Sequence, residues 1–129
     1  MSVVVSKMRG VHAFLVAALV VMSCQAAIAE DAAPAEQISA FRLKHGEGSA
    51  SEADFLRAAG ALGSIPGVEA FELMREVSPK NDYRYALTME FADRPAYDAY
   101  NAHADHVAFV QARWLPEVEA FLELDSEAL

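Results

Sequence analysis

Tyr83-Arg84-Tyr85-Ala86-Leu87-Thr88-Met89-Glu90-Phe91 is the stretch on which the reading of the fold turns. Tyr83, Tyr85, Leu87, Met89 and Phe91 fall on one side of an extended chain, and Arg84, Ala86, Thr88 and Glu90 on the other. That period of two is the mark of a half-buried strand. Just upstream, Ser78-Pro79-Lys80-Asn81-Asp82 is turn chemistry, preceded by a second extended run from Val68 to Val77. Just downstream, Asp93 with Pro95 opens a helix running to about Asn101, since proline is tolerated in a first turn.

Working outward, Gln37 to Lys44 alternates again, with Ser39, Phe41 and Leu43 opposite Ile38, Ala40 and Arg42. Gly46 and Gly48 mark a loop. Ser51 with Asp54 three residues on is read as a helix start. Phe55, Leu56, Ala59 and Leu62 supply that helix's apolar stripe, and Gly63 with Ile65-Pro66-Gly67 ends it. Beyond a break at His103-Ala104-Asp105, a helix from about His106 to Trp114 is expected to stop at Pro116. A last strand, Val118 to Asp125, carries Val118, Ala120, Leu122 and Leu124 on one face.

The order strand, helix, strand, strand, helix pair, strand is that of an α+β, ferredoxin-like split βαβ fold, a four-stranded antiparallel sheet with helices on one side. The other side includes Ile38, Ala40, Ala86, Thr88 and Phe121 by this reading. A partly apolar open face calls for a cover, and a second copy of the same sheet is the economical one. The expected assembly is therefore a homodimer.

The 129 residues hold one such domain. Residues 1–29 read as a signal peptide. Lys7 and Arg9 are followed by a nearly unbroken apolar run from Val11 to Met22, and Ala27-Ile28-Ala29 has the small-x-small form of a cleavage site. The run falls short of the roughly 20 apolar residues a membrane span needs. Residues 30–35 form a short linker, and residues 36–129 the domain. Cys24 is the sole cysteine, so no intrachain disulfide can form. Val21-Met22-Ser23-Cys24 loosely resembles a lipoprotein box, the alternative to simple export to the periplasm or beyond. All 19 acidic residues but only 8 basic ones lie beyond Ala29, a net charge of −11. Such a balance opposes binding to nucleic acid or to an anionic membrane, both of which need clustered cations.

Of the four histidines, His12 leaves with the signal, and His45, beside a glycine loop, reads as solvated. His103 and His106 stand three apart at a helix entrance, just after Tyr100. Imidazole titrates near neutrality, so Tyr100 and His106 can be read as an acid/base pair at the mouth of a pocket. On this spacing alone the favoured reading is packing, one histidine capping the helix and the other filling space beside Tyr100. Two histidines at this spacing lack a third metal ligand, and no metal is expected. Tyr83, Tyr85, Phe91, Tyr97, Tyr100, Phe109 and Trp114 read as core, which becomes a ligand cavity only where packing leaves room.

Four segments together resemble the stress-responsive A/B barrel domain family, called Dabb. They are Phe41-Arg42-Leu43-Lys44, Ile65-Pro66-Gly67-Val68, Val77-Ser78-Pro79, and Ala99-Tyr100-Asn101-Ala102-His103-Ala104-Asp105-His106-Val107-Ala108-Phe109-Val110. The similarity spans about Gln37 to Asp125. The family usually has His-Pro-Ala-His where this chain has His-Ala-Asp-His. The resemblance implies a dimeric α+β barrel that needs no cofactor. A plant member closes a linear polyketide by aldol condensation, and its catalytic tyrosine and histidine fall on Tyr100 and His106. Its two other pocket histidines fall on Gln37 and Tyr85, a departure that leaves a general base but argues against the same substrate. The expected pocket is bordered by Gln37, Tyr85, Tyr100, His103 and His106. It serves either as a binding site for a small apolar or aromatic molecule or as the site of a cofactor-free cyclase or lyase. A haem protein or monooxygenase on the same barrel ranks last, for want of a distinctive ligand motif.

Intact-mass analysis of the exported protein should show Glu30 as the first residue. A mass carrying diacylglycerol on Cys24 would establish the lipoprotein instead.

Overall fold

The computed structural model describes residues 33–129. The signal assigned to residues 1–29, with Cys24, and residues 30–32 of the linker lie outside the described residues. Four strands, β1 (Ala35–Leu43), β2 (Glu69–Arg75), β3 (Tyr85–Phe91) and β4 (Val118–Glu127), form one sheet in the order β2-β3-β1-β4. Every neighbouring pair is antiparallel. The helices are α1 (Ala50–Gly60), α2 (Arg94–Ala102) and α3 (Ala104–Phe109). The ferredoxin-like α+β arrangement expected from the alternations is the one observed.

β1 begins two residues earlier than its alternation implied. Ala35 and Glu36 are already paired, with Phe91 and Glu90 on one side and with Glu127 and Ser126 on the other. Two long neighbours extend the ladder into what reads as linker. β3 conversely begins at Tyr85, because the N–H of Tyr83 donates to Asn81 Oδ1 at 2.9 Å and prolongs the turn.

Helix α1 is capped by Ser49, not Ser51. Ser49 Oγ accepts from the N–H of Glu52 at 3.2 Å, and Glu52 Oε1 accepts from the N–H of Gly48 at 3.1 Å. Ser49-Ala50-Ser51-Glu52 thus acts as a capping box displaced by one residue at its acidic end. A 3₁₀ turn, Ala61–Ser64, continues the helix. It brings Gly63 so close to Phe71 that a Cβ there would lie 2.9 Å from the ring. β2 meets β3 through an irregularity between Glu69 and Glu72, where Ala70 adopts φ +47°.

After α3 the chain widens into a π-helical turn, Val110–Trp114, in which the N–H of Leu115 donates to Val110 O. Pro116 therefore does not end the helix at Trp114. It sits inside a last turn, Leu115–Glu117, that runs straight into β4.

The helix-facing side of β1 and β3 carries the core. Phe41, Leu43, Tyr85, Leu87, Met89 and Phe91 are buried there against Phe55, Ala59, Leu62, Ile65, Tyr100 and Phe109. β4 departs from expectation in two places. Phe121 pairs with Phe41 and so faces the helices, where its ring meets Trp114 edge-on at 5.6 Å. A bulge between Arg42 and Leu43 puts Val118 opposite Leu43 and turns it to the core, away from Ala120, Leu122 and Leu124. The open face is crossed by the rows Met74–Ala86–Ala40–Leu122 and Glu72–Thr88–Ile38–Leu124. Met74, Leu122 and Leu124 are exposed there.

Loss of a side-chain cap costs about 1 kcal/mol. Ser49→Ala should therefore lower the thermal midpoint by roughly 4–8 °C for a domain of this size, while Ser51→Ala leaves it nearly unchanged. Parallel thermal melts of the two variants check the assignment.

Candidate functional site

β1 presents an uneven row to the helices: Ala35, Gln37, Ser39, Phe41, Leu43. At the Phe41 end the rings of Phe55, Tyr85 and Trp114 close in at 5.8, 5.8 and 5.1 Å. At the Gln37 and Ser39 end the side chains are smaller and polar. The overlying helix is also interrupted twice, by the His103 break and by the π turn. A cavity of about 270 Å³ remains between sheet and helices. Its floor is Gln37, Ser39, Leu87, Phe121 and Glu123, and its roof is Tyr100, Asn101, His106, Phe109, Val110, Trp114 and Leu115, with Leu62 at the side. This volume lies just under the range of about 300–1,000 Å³ usual for small-molecule sites.

Tyr100 and His106 are brought together by the sharp turn at His103. Their rings lie 4.5 Å apart at an angle of 44°. His106 Nδ1 lies 3.1 Å from the carbonyl oxygen of Asn101, at the end of α2. A carbonyl can only accept, so Nδ1 carries the proton and Nε2 carries the lone pair. The Asn101 carbonyl thus sets the tautomer of His106. No hydrogen bond joins the Tyr100 hydroxyl to it among the described residues, and the contact between the two is ring on ring. Burial lowers the His106 pKa, with the Asn101 hydrogen bond opposing and nearby His103 adding to the decrease. Burial, then the charge of Glu123, raises the Tyr100 phenol far above its usual value. The cavity therefore holds a neutral imidazole that can take a proton and a phenol that keeps its own.

Gln37 joins them in the cavity wall, buried, with its Nε2 donating to Glu123 Oε1. Tyr85 and His103, expected at the same pocket, do not line it. Tyr85 packs on Phe41 with the Arg75 guanidinium 5.7 Å from its ring, at the filled end of the core. Burial and the nearby Glu52 carboxylate raise its phenol pKa. His103 is the cap of α3, its Nδ1 accepting from the N–H of Asp105 at 3.1 Å. Its imidazole is spent on the backbone turn that delivers His106. His45 is not simply solvated either, since its Nε2 meets Glu117 Oε1 at 2.8 Å. Among the described residues no three His, Cys, Asp or Glu side chains converge in a way that could hold a metal ion.

Glu123 is the group that sequence reasoning missed. It stands on edge strand β4, exposed as a residue, with its carboxyl reaching in to Gln37. Partial burial, then neighbouring Asp125, raises its pKa. The signal was available in β4 itself, where Glu119, Phe121, Glu123 and Asp125 alternate with the apolar set. Amphipathicity alone assigns that polar set to solvent, whereas here Phe121, Glu123 and Asp125 face the helices and Glu119 binds Arg42.

The model of the stress responsive A/B barrel domain, Dabb, matches residues 35–128. A Dabb family protein with a ferredoxin-like fold from Mesorhizobium loti is 49% identical, the match covering 75% of this chain and 98% of that one, with a TM-score of 0.72. A dimeric ferredoxin-like protein from Thermobifida fusca is 17% identical over 76% and 93% of the two chains, with a TM-score of 0.63. The hydroxynitrile lyase of Passiflora edulis is 14% identical over 74% and 94%, with a TM-score of 0.66. At the last two identities the likeness is one of fold. No curated protein matches the chain in sequence.

The His106 ring should titrate in NMR with a midpoint below the ordinary value of about 6.5. The sign for stability follows by linkage: the unfolded chain binds the proton more readily. The contribution of the neutral imidazole is complete above about pH 6.5 and is lost as pH falls through the lower folded value. Urea unfolding at pH 7.5 and pH 5 should show a smaller acid-induced loss in His106→Gln than in the wild type.

Proposed function

The chain belongs to the stress-responsive A/B barrel domain family, and on that premise we propose that it is an exported homodimer that binds a small apolar or aromatic molecule between sheet and helices. The observation that carries the reading is the cavity of about 270 Å³, walled by Phe109, Trp114, Phe121, Leu62 and Leu87. An engineered apolar cavity of about 150 Å³ already takes up benzene, so this one has room for one substituted ring.

The open face supports the dimer. The row Met74–Ala86–Ala40–Leu122 is wholly apolar and Ile38 with Leu124 extends it, Leu122 and Leu124 being exposed on the edge strand. A contiguous apolar sheet face is the kind of surface that proteins cover. The Thermobifida fusca relative of this fold is dimeric. Ile38→Asp places an unpaired charge in such an interface, at a cost of several kcal/mol. Light scattering at micromolar concentration should show a dimer for the wild type and a monomer for Ile38→Asp. A wild-type monomer would refute the assembly.

A second reading, a cofactor-free lyase or cyclase, rests on the orientation of His106. Its free Nε2 belongs to a neutral imidazole beside the Tyr100 phenol, an arrangement fit for proton abstraction. The Passiflora edulis protein of this fold is a lyase. A metabolite panel screened by thermal shift, with hits then followed for turnover, separates the readings. Ligands that raise the melting temperature of the wild type but not of Ser39→Phe, whose ring fills the cavity, support the site. Turnover of a hit that falls about 100-fold in His106→Ala, with stability largely kept, makes it an enzyme.

A further inference from the structure

The polar groups of the cavity are unevenly distributed by type. Among the described residues no lysine or arginine lines it. Nearby Arg113 is engaged by Glu117 at 2.5 Å and Asp54 at 2.8 Å, and Arg94 by Asp98 and Glu127. Acceptors, by contrast, are plentiful. Glu123 spends one carboxylate oxygen on Gln37 and keeps the other. Gln37 Oε1 has no partner among the described residues, but the atom is itself buried and does not open onto the cavity. His106 Nε2 is an acceptor because Nδ1 faces the Asn101 carbonyl. The donors of the lining are all uncharged, namely the hydroxyls of Ser39 and Tyr100, the Asn101 amide and the indole N–H of Trp114. Asp125, two residues along the same face of β4, lies outside the cavity lining, in a separate depression with Tyr97, whose hydroxyl donates to it at 2.5 Å.

We infer that Glu123 makes this pocket selective for uncharged aromatic rings bearing N–H or O–H donors, and that it excludes aromatic anions. The inference rests on the binding reading above and names the ligand class for that site. The aromatic walls take the ring. Glu123 and His106 take its hydrogens. An anion of the same shape meets a carboxylate where it needs a cation, and like charges brought together at close range suppress binding strongly. Glu123 is thus a specificity-determining residue on the wall opposite the histidine. Its influence already reaches across the cavity, because its charge helps to raise the Tyr100 phenol.

Benzenesulfonamide and benzenesulfonate are close in size and shape but differ in charge and in N–H donors. Trp114 is the only tryptophan and lines the cavity, so its single indole N–H resonance reports on occupancy. Titrated into the full mature protein at pH 7, the sulfonamide should bind at least about 10-fold more tightly than the sulfonate. Glu123→Gln keeps an oxygen for the Gln37 N–H and removes the charge. It should bring the two affinities within about 3-fold, mainly by strengthening the sulfonate. Equal affinities in the wild type would overturn the ligand class while leaving the pocket standing. Selectivity that survives unchanged in a folded Glu123→Gln variant would overturn the role of Glu123. An indole signal unmoved by either compound at tens of millimolar would overturn the binding reading itself, and this inference with it.

Discussion

The packing of Phe41 is the contact on which the rest of this domain depends. β1 is an inner strand, hydrogen-bonded to β3 on one side and β4 on the other. Phe41 projects from it with no exposed surface. Around that ring stand Phe55 from α1, Tyr85 from β3 and Trp114 from the π turn, all within 6 Å. Each tilted aromatic pair adds about 0.5–1.5 kcal/mol beyond the apolar area it buries. One side chain therefore joins elements from both halves of the chain. It also anchors Trp114, which in turn meets Phe121 and forms part of the cavity roof.

The cavity follows from what β1 does not place beside Phe41. Two and four residues back on the same face stand Ser39 and Gln37, both buried and both polar. Helices held down by aromatic packing at one end of the strand cannot settle flush over small polar groups at the other. The π turn over Val110–Trp114 widens the helix at this point, a distortion often found at functional sites. Room for a ligand and a place for His106 thus arise together. The same break between α2 and α3 that needs His103 as a cap presents the Asn101 carbonyl that orients His106.

The sheet divides its labour by face. Toward the helices, β4 turns Phe121, Glu123 and Asp125, a wall suited to a solvated or ligand-filled space. Away from them it turns Ala120, Leu122 and Leu124, a surface suited to another sheet. This inverts the usual rule that an outer strand buries its apolar set beneath its own helices. It makes sense in a domain of about a hundred residues, whose own core covers a limited fraction of its surface.

Much of this was legible in the chain itself. Alternation in Tyr83 to Phe91 and in Gln37 to Lys44 defined strands, because a strand must put successive side chains on opposite faces. The order of elements then led to the ferredoxin-like sheet. His106 beside Tyr100 was visible as a local spacing across a helix break. The sequence also carried the Ser49–Glu52 cap, although the later pair Ser51 and Asp54 obscured it. The partnership across the sheet was not legible. Glu123 reaches Gln37, 86 residues away, only because β4 pairs with β1 in one register, and a bulge between Arg42 and Leu43 adjusts that register. Nothing in a strand's own period says which of its two faces will meet the helices, and a one-residue slip exchanges them. Tyr85 and Tyr100 look alike as aromatic residues in the chain. The tertiary packing alone puts one in solid core and the other at a cavity, because only the packed sheet and helices determine where space is left.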